Sequence, residues 1–541
     1  MSTASTPQDS YAMDIPLLLK NLLVSAARHH RHGEIVSVIG GSKTRHTYAE
    51  CELRARKLAQ ALQALGIQPG DRVGTLAWND HRHYELYFGI TGIAAICHTV
   101  NPRLFAEQIA YIINDAQDVA MFYSRDFAGL VEQLKPLTPG VKHWVSIDDA
   151  DDSSVICYES LLAAQDGKMS WPEFDERSDA FLCYTSGTTG NPKGVVYTHR
   201  GTVLHAYAVA LPDAHDVSAL SVLMPVVPMF HANAWEAPFS ATLTGARLVL
   251  PGSRLDGQSL HQLIETEGVT LSIGVPTVWF NVLSYLRENR LRCGTLKRLL
   301  LGGSSTPLSM IQAYAELGVL VTQGWGMTET AAMTTSSQPL AQHRGTPMEE
   351  LQTTIYQTAG RAVAGGDIRT VDEDGQEIPW GSGRPGELQV RAPWVIQRYF
   401  RAAALATTPD GWLPTGDIAL IDADGFMRLT DRTKDVIKSG GEWISSVDLE
   451  NLAMALPGVQ YAACIAGRHG RWGERPVLIV QPREGAVLTE AQVLRSFEGK
   501  IAKWWTPDAV VFIDRIPMTA TGKFNKMDLR NRFGGYLLDK S

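Results

Sequence analysis

The sequence predicts an α/β protein: a large N-terminal domain of stacked, mostly parallel α/β subdomains, a small β-barrel-like subdomain, and a small α+β C-terminal domain. Three observations predict it. The chain has 541 residues, which at roughly 100–200 residues per domain makes more than one domain. From about residue 70 onward, short β-branched or apolar runs alternate with helical patterns, the beat of parallel sheets with crossover helices. After about residue 360 glycine and proline become dense and strands closely spaced, as in "GSGRPGELQV" (381–390), which suits a small barrel.

Taken in order, "IPLLLKNLLVSAARHH" (15–30) reads as an amphipathic helix docked on the body; it is too poor in basic residues to suggest a membrane-surface helix. "DRVGTLAWN" (71–79) reads as a strand, "HYELYFGITGIA" (83–94) as a helix and "AICHTV" (95–100) as a strand. "RLFAEQIAYIINDA" (103–116) is helical and "DVAMFYS" (118–124) extended. "DDADD" (148–152) is a solvated loop. The alternation continues through "ARLVLPG" (246–252), "GVTLSIGV" (268–275) and "LKRLLLGG" (296–303). "DRTKDVIKSGGEW" (431–443) gathers charge and glycine ahead of a helix in 445–456, for which Ser446 is the expected cap. The boundaries that follow are a domain over 1–431, a hinge over 432–435 and a second domain over 436–541.

Composition excludes several classes. The formal net charge of -8 argues against a nucleic-acid binder held by bulk charge. Six cysteines with no metal-ligand spacing read as free thiols of a reducing, cytoplasmic compartment. The first residues show neither a basic n-region nor an apolar h-region, so no secretory signal is expected. No apolar run approaches about 18 residues, so no membrane span is expected. "GSGRPG" (381–386) satisfies the dinucleotide pattern but leads into a strand and holds Pro385, so it is rejected as one. "HRH" (81–83) has no partner cluster and makes a poor metal site.

The chemistry starts at "YTSGTTGNPKG" (184–194), after the apolar run 180–183. A glycine-rich turn leaving a buried strand lets successive backbone N–H groups point at one spot, which suits a phosphate. Thr185, Ser186, Thr188 and Thr189 add hydroxyls, Gly187 and Gly190 free the backbone, and Lys193 adds a cation. It is not a Walker A loop, because Pro192 precedes Lys193 and Gly194 follows it.

That string resembles the signature of the adenylate-forming superfamily: acyl-CoA synthetases, luciferases and carrier-loading adenylation domains. The resemblance covers nearly the whole chain and is carried by further segments in the family's order: "HANAW" (231–235), "GGSSTP" (302–307), "QGWGMTET" (323–330), "GWLPTGD" (411–417), "DRTKDVIKSGGEWIS" (431–445) and "PMTATGKFNK" (517–526). It implies ATP, Mg²⁺ and coenzyme A as cofactor and co-substrates, a small carboxylic acid as partner, no nucleic acid, and a homodimer as an admissible assembly. Thr185 and Glu329 are expected to hold Mg²⁺, a hard cation that takes oxygen ligands, and Thr328 to meet the α-phosphate. Gly302, Gly303 and Ser304, with Gly324, Trp325, Gly326 and Met327, are expected around the nucleotide. Asp417, acceptor-only when ionised, is expected to take the ribose hydroxyls, with Arg432 beside it. Trp235 and Trp325 are expected at the substrate pocket, Trp325 as a gate. His231 is expected near the carboxylate path, whereas His98, His199 and His205 read as structural.

Lys523 is the strongest catalytic expectation: as a carboxylate attacks the α-phosphorus, a placed ammonium stabilises the growing charge more in the transition state than in the ground state. A carboxylic acid of pKa near about 4–5 is already ionised at neutral pH, so this step requires no general base. In the second step CoA displaces AMP, and the resemblance implies a mobile C-terminal domain that swings about Lys434. Lys438, Gly440, Gly441, Glu442 and Trp443, with Glu474 of "WGERP", are expected on the thiol side.

"DVIKSGGEWIS" and "WGERP" are most similar to the medium- and long-chain acyl-CoA synthetase branch, in which medium-chain fatty acid ligases and 3-methylmercaptopropionate ligases look nearly alike. One departure stands out. Glu236 follows "NAW" where a small residue is expected; pointing into the acyl tunnel it would shorten the pocket, and pointing outward it would mean nothing. The favoured acid is of medium length. A carrier-loading enzyme, a luciferase-like oxygenase and a non-enzymatic sensor are the rival classes.

Overall fold

The computed structural model describes residues 12–148, 155–185, 191–432, 435–439, 442–518 and 524–538. Two large sheets carry the N-terminal part. One has seven strands, with Arg72–Leu76, Ile96–Thr99, Asp118–Tyr123, His143–Ser146, Ile156–Cys157 and Asp179–Tyr184 running parallel to their neighbours. Its last strand, Gly194–Thr198, turns back antiparallel along Asp179–Tyr184. The other has nine strands, with a parallel centre formed by Glu34–Ile39, Val222–Pro225, Arg247–Leu250, Leu271–Gly274, Arg298–Gly302 and Leu320–Trp325. Parallel strands need crossovers, and the helices His81–Thr91, Ala106–Ala116, Gly257–Glu267 and Pro276–Asn289 supply them. Strands such as Ile96–Thr99 and Leu271–Gly274 are buried along their whole length, as strands covered on both faces must be.

The helix Leu19–His29 buries Leu19, Leu22, Leu23 and Ala26 against this body, as its stripe predicts. The expected small barrel is a four-stranded antiparallel sheet in linear order, Asp367–Val371, Gly386–Arg391, Leu413–Ile421 and Met427–Arg432, tied back by a bridge between Gly360 and Met427. A five-stranded sheet drawn wholly from residues 437–512 packs against the helices Ser446–Met454 and Lys526–Phe533. The cap of the first of these is Ser445, not Ser446: Ser445 is extended and its hydroxyl accepts from the Asp448 N–H at 3.1 Å, whereas Ser446 is already helical. All six cysteines are free thiols, five of them buried. No described helix is long and apolar enough to cross a membrane.

Candidate active site

Among the described residues, Thr185 and Lys193 lie at strand ends of one large sheet, Gly302 and Trp325 at strand ends of the other, and Asp417 on the four-stranded sheet against Trp325. The phosphate-loop candidate is the end of a hairpin. Tyr184 pairs with Gly194, the Thr185 N–H donates to the Lys193 carbonyl at 2.9 Å, and the Lys193 N–H reaches the Thr185 hydroxyl at 3.3 Å. Ser186, Gly187, Thr188, Thr189 and Gly190 lie outside the described residues, as do Lys434, Gly440, Gly441 and Lys523; the side chains of Arg432, Glu442 and Trp443 do as well.

Beside the hairpin runs a segment that no sequence motif marked. The Phe400 N–H donates to the Gly194 carbonyl at 2.8 Å and the Ile396 N–H to the Glu329 carbonyl at 3.1 Å. Between them the Tyr399 hydroxyl donates to Glu329 Oε1 at 2.8 Å, and the Lys193 ammonium sits 4.8 Å over the Tyr399 ring. Burial, and then the Glu329 charge, push the Tyr399 phenol up, so it stays a proton donor. Glu329 is buried with one oxygen fixed by a hydroxyl. The carboxylate and the Thr185 hydroxyl are both oxygen donors, the type that Mg²⁺ takes.

On the nucleotide side the strand ends come together without side chains. Gly302 pairs with Gly324, and a Cβ at Gly302 would stand 2.6 Å from the Gly324 carbonyl oxygen. A Cβ at Gly326 would stand 1.5 Å from the Ala332 carbonyl oxygen. Such contacts admit only glycine and let the neighbouring backbones approach closely. Ser304 is exposed, next to Ser305. The Trp325 indole N–H donates to Asp417 Oδ2 at 2.8 Å, so this ring lies on the expected ribose acceptor. Asp417 in turn pairs with Arg432 across the sheet. Thr328 is half-buried, its carbonyl accepting from the Tyr197 hydroxyl at 2.6 Å, and Met327 accepts within the same turn. Lys438 is exposed; its N–H donates to Glu474 Oε2 at 2.8 Å.

The segment after half-buried His231 is strained. Ala232, Asn233, Ala234, Trp235 and Glu236 all have positive φ, between 38° and 62°. A left-handed conformation costs roughly 1–2 kcal/mol per non-glycine residue. Ala331 and Ala332, in the facing turn, are left-handed too, so these two turns hold seven of the twelve such residues described. Strain of this kind persists where the surroundings over-determine the chain, commonly at functional sites. The turn lays Trp235 against Gly302, whose Cβ position is 3.2 Å from the ring.

The three histidines read as structural have packing roles. His98 Nδ1 is 2.7 Å from Asp118, His199 Nδ1 accepts from the Leu19 N–H at 3.2 Å, and His205 Nε2 is 2.6 Å from the Met333 carbonyl.

Fold and site together define an adenylate-forming enzyme, and the chain belongs to the AMP-binding enzyme family: that family's sequence profile matches residues 24–400, and the profile of its C-terminal domain matches 448–523. The chain is similar to a 3-methylmercaptopropionyl-CoA ligase of Ruegeria lacuscaerulensis, 45% identical over 96% of this chain and 98% of the relative. It is equally similar to a medium-chain-fatty-acid–CoA ligase of Ectopseudomonas oleovorans, 45% identical over 97% of each. A long-chain-fatty-acid–CoA ligase of Thermus thermophilus is 43% identical over 97% of each. A solved anthranilate CoA ligase in complex with anthranoyl-AMP shares the fold, with a TM-score of 0.86 at 22% identity over 97% of this chain and 99% of that one. A Mycobacterium tuberculosis fatty acyl CoA synthetase superposes with a TM-score of 0.72 at 27% identity over 96% and 98%.

Proposed function

We propose that the acid activated by this chain is a medium-length fatty or related carboxylic acid, and that the roles set out below fall to the residues named. The chain is an AMP-forming acyl-CoA ligase: ATP and a carboxylic acid give an acyl-adenylate and pyrophosphate, and coenzyme A then takes the acyl group and releases AMP. One observation carries the site assignment. Two buried carboxylates, Glu329 within the 323–330 segment and Asp417 against it, are each held by an aromatic donor, Tyr399 or Trp325.

In this reading Asp417 accepts from the ribose hydroxyls, and Trp325 flanks the nucleoside rather than the acyl chain. Glu329 and Thr185 hold Mg²⁺, which neutralises phosphate charge. Lys193 and the loop it closes cradle the phosphates, and Thr328 meets the α-phosphate. His231 lines the carboxylate path. Lys523 meets the charge developing at the α-phosphorus. Residues 436–541 then move about the 432–435 hinge, bringing the Lys438–Glu474 surface and the Gly440–Gly441 backbone to the thiol. Trp235 lines the acyl side. The relatives named above act on medium-chain, long-chain and 3-methylmercaptopropionyl acids; medium length is favoured because Glu236 does not face solvent but is buried one residue from Trp235. Free, buried thiols suit a cytoplasmic enzyme.

The test is CoA-dependent AMP release from MgATP across a series of carboxylic acids of increasing length. The expected result is a maximum at medium length, with pyrophosphate exchanging into ATP when CoA is left out. Absence of that exchange with every acid overturns the reading.

A further inference from the structure

Glu236 is 1% exposed and His205 0%. His205 Nδ1 lies 3.3 Å from Glu236 Oε1, and its Nε2 lies 2.6 Å from the Met333 carbonyl. A carbonyl only accepts, so Nε2 carries a hydrogen. Nδ1 and Oε1 stand at ion-pair distance without the alignment of a hydrogen bond. The Trp394 indole stacks on the imidazole, centroids 4.6 Å apart, and closes that face.

Among the described residues neither carboxylate oxygen of Glu236 has a hydrogen-bond partner, and Oε2 lacks even the histidine contact that Oε1 has. The neighbouring groups that feel the Glu236 charge are Tyr87, Cys183 and Tyr197. Each has its single proton committed elsewhere: Tyr87 to the Met229 carbonyl, Cys183 to Asn233 Oδ1 at 3.5 Å, and Tyr197 to the Thr328 carbonyl at 2.6 Å. A buried carboxylate oxygen without a donor is costly, and here it stands at the end of the strained turn that presents Trp235. The same pair reaches Met333, in the loop that packs against Gly326. It therefore forms a wall between the Trp235 turn and the 323–333 segment.

We propose that Glu236 and His205 form the polar end wall of the acyl site, and that the acid received there carries a hydrogen-bond donor, a hydroxyl or an amide N–H, at its distal end. This inference rests on the ligase reading above and narrows its substrate class. A site built to hydrogen-bond a distal group rejects the analogue that lacks it, because a buried polar atom is left unpaired. The proposal concerns which tail is accepted and leaves the reacting end unchanged.

The experiment compares kcat/KM for ω-hydroxy acids and for alkanoates of equal heavy-atom count, over a range of lengths, in the wild type, Glu236→Gln and Glu236→Leu, with melting temperature as the check on folding. The wild type is expected to favour the hydroxyl-ended acid at its best length by about tenfold or more. Glu236→Leu is expected to reverse that preference and to accept longer alkanoates. Glu236→Gln, which keeps the shape and serves if the leucine variant does not fold, is expected to lower the ratio at least about threefold, since a neutral acceptor binds more weakly than a charged one. Ligand-induced shifts in melting temperature, read without turnover, follow the same order. Ratios equal in wild type and variants overturn the proposal and mean that an ordered water satisfies Oε2. Activity with many acids but no change in profile sinks the wall alone; no AMP release with any acid sinks the ligase reading and the wall with it.

Discussion

The body built on the two large sheets and the region from residue 435 onward differ in how they bury titratable groups. In the body, beside ion pairs such as Arg82 with Asp80 at 2.7 Å, four histidines are buried with no carboxylate on the ring and held neutral: burial pushes His81 down to about 2, His83 to about 4, and His199 and His215 to about 3. In the C-terminal region the buried groups are paired charges. Lys526 meets Glu450 at 2.7 Å and the Ser446 hydroxyl at 2.6 Å, Arg475 meets Asp508 at 2.7 Å, and Arg530 meets Asp435. Contacts between the two are polar or marginal: Ser445 hydroxyl to the Thr430 carbonyl at 2.6 Å, Ser446 N–H to Asp431 at 2.8 Å, Asn451 to Ser305 at 3.0 Å, and Arg483 over the Phe280 ring at 5.4 Å. An apolar body makes a rigid mould for the nucleotide, and a polar seam lets a second unit leave and return.

The largest expected effect separates the two steps of the reaction. Lys523→Ala is expected to lower adenylation, measured as pyrophosphate exchange, by about 10²–10³-fold, the usual loss of one preorganised charge-stabilising donor. Consumption of a supplied acyl-adenylate by CoA is expected to fall far less. Equal loss of both with the fold intact breaks the division of labour.

Acid should strike the body first. A histidine whose folded pKa lies below its unfolded value of about 6.5 binds fewer protons in the native state, so stability falls as pH falls, by up to about 1.4 kcal/mol per pH unit for each group. With His46, also lowered by burial, five such histidines lie in the body. Glu85, raised by burial to about 7, and Asp118, Asp179 and Glu236, also raised by burial, titrate with the opposite sign. Five against four leaves a net loss of stability as pH falls below about 6.5. In the C-terminal region Glu450 and Asp448 are raised by burial, which favours the folded state in acid. Calorimetry over that fall in pH is expected to show the main transition moving down; a flat or rising transition contradicts the contrast.

Much of this was legible before the structure. Alternating runs at 71–124 marked three strands of the seven-stranded sheet, Arg72–Leu76, Ile96–Thr99 and Asp118–Tyr123, because a strand buried on both faces is an apolar run with turn residues at its ends; the short strands His143–Ser146 and Ile156–Cys157 were not marked. Strand order was not legible: Glu34–Ile39 pairs with Arg247–Leu250 across more than 200 residues, and nothing local encodes such a partner. The motif residues were legible one by one, but what holds them was not. Tyr399 sits in "QRYF", a string without spacing or composition to mark it, and acts only through the fold that brings it to Glu329. Glu236 was visible as a departure, yet its direction was undecidable until His205, 31 residues earlier, was placed beside it. Ser445 and Ser446 are equivalent caps by residue type; only backbone conformation chose between them.

Within the rigid body, Tyr399→Phe removes one hydroxyl and keeps the ring under Lys193. A hydrogen bond to a charged group contributes about 1.5–3 kcal/mol. The Mg²⁺ concentration at half-saturation is therefore expected to rise about tenfold or more, with kcat for saturating MgATP changed less. An unchanged Mg²⁺ titration means that Glu329 holds its place without Tyr399, and that the mould is rigid for another reason.

The smallest effect tests the seam itself. Asn451 donates from a half-buried amide to the Ser305 hydroxyl, in the 302–307 loop expected beside the nucleotide. Such a neutral, water-accessible bond contributes at the low end of about 0.5–1.5 kcal/mol. If the C-terminal region leaves and returns during turnover, removing the bond in Asn451→Ala destabilises only the docked arrangement and leaves the interior of either unit untouched. The ratio of pyrophosphate exchange to thiolation should then change by no more than about fivefold, with the melting temperature unmoved. If the two units form one cooperative block, the same loss appears as lower global stability and the ratio stays fixed. Measuring the ratio and the melt on one preparation decides between a seam that opens and a joint that only holds.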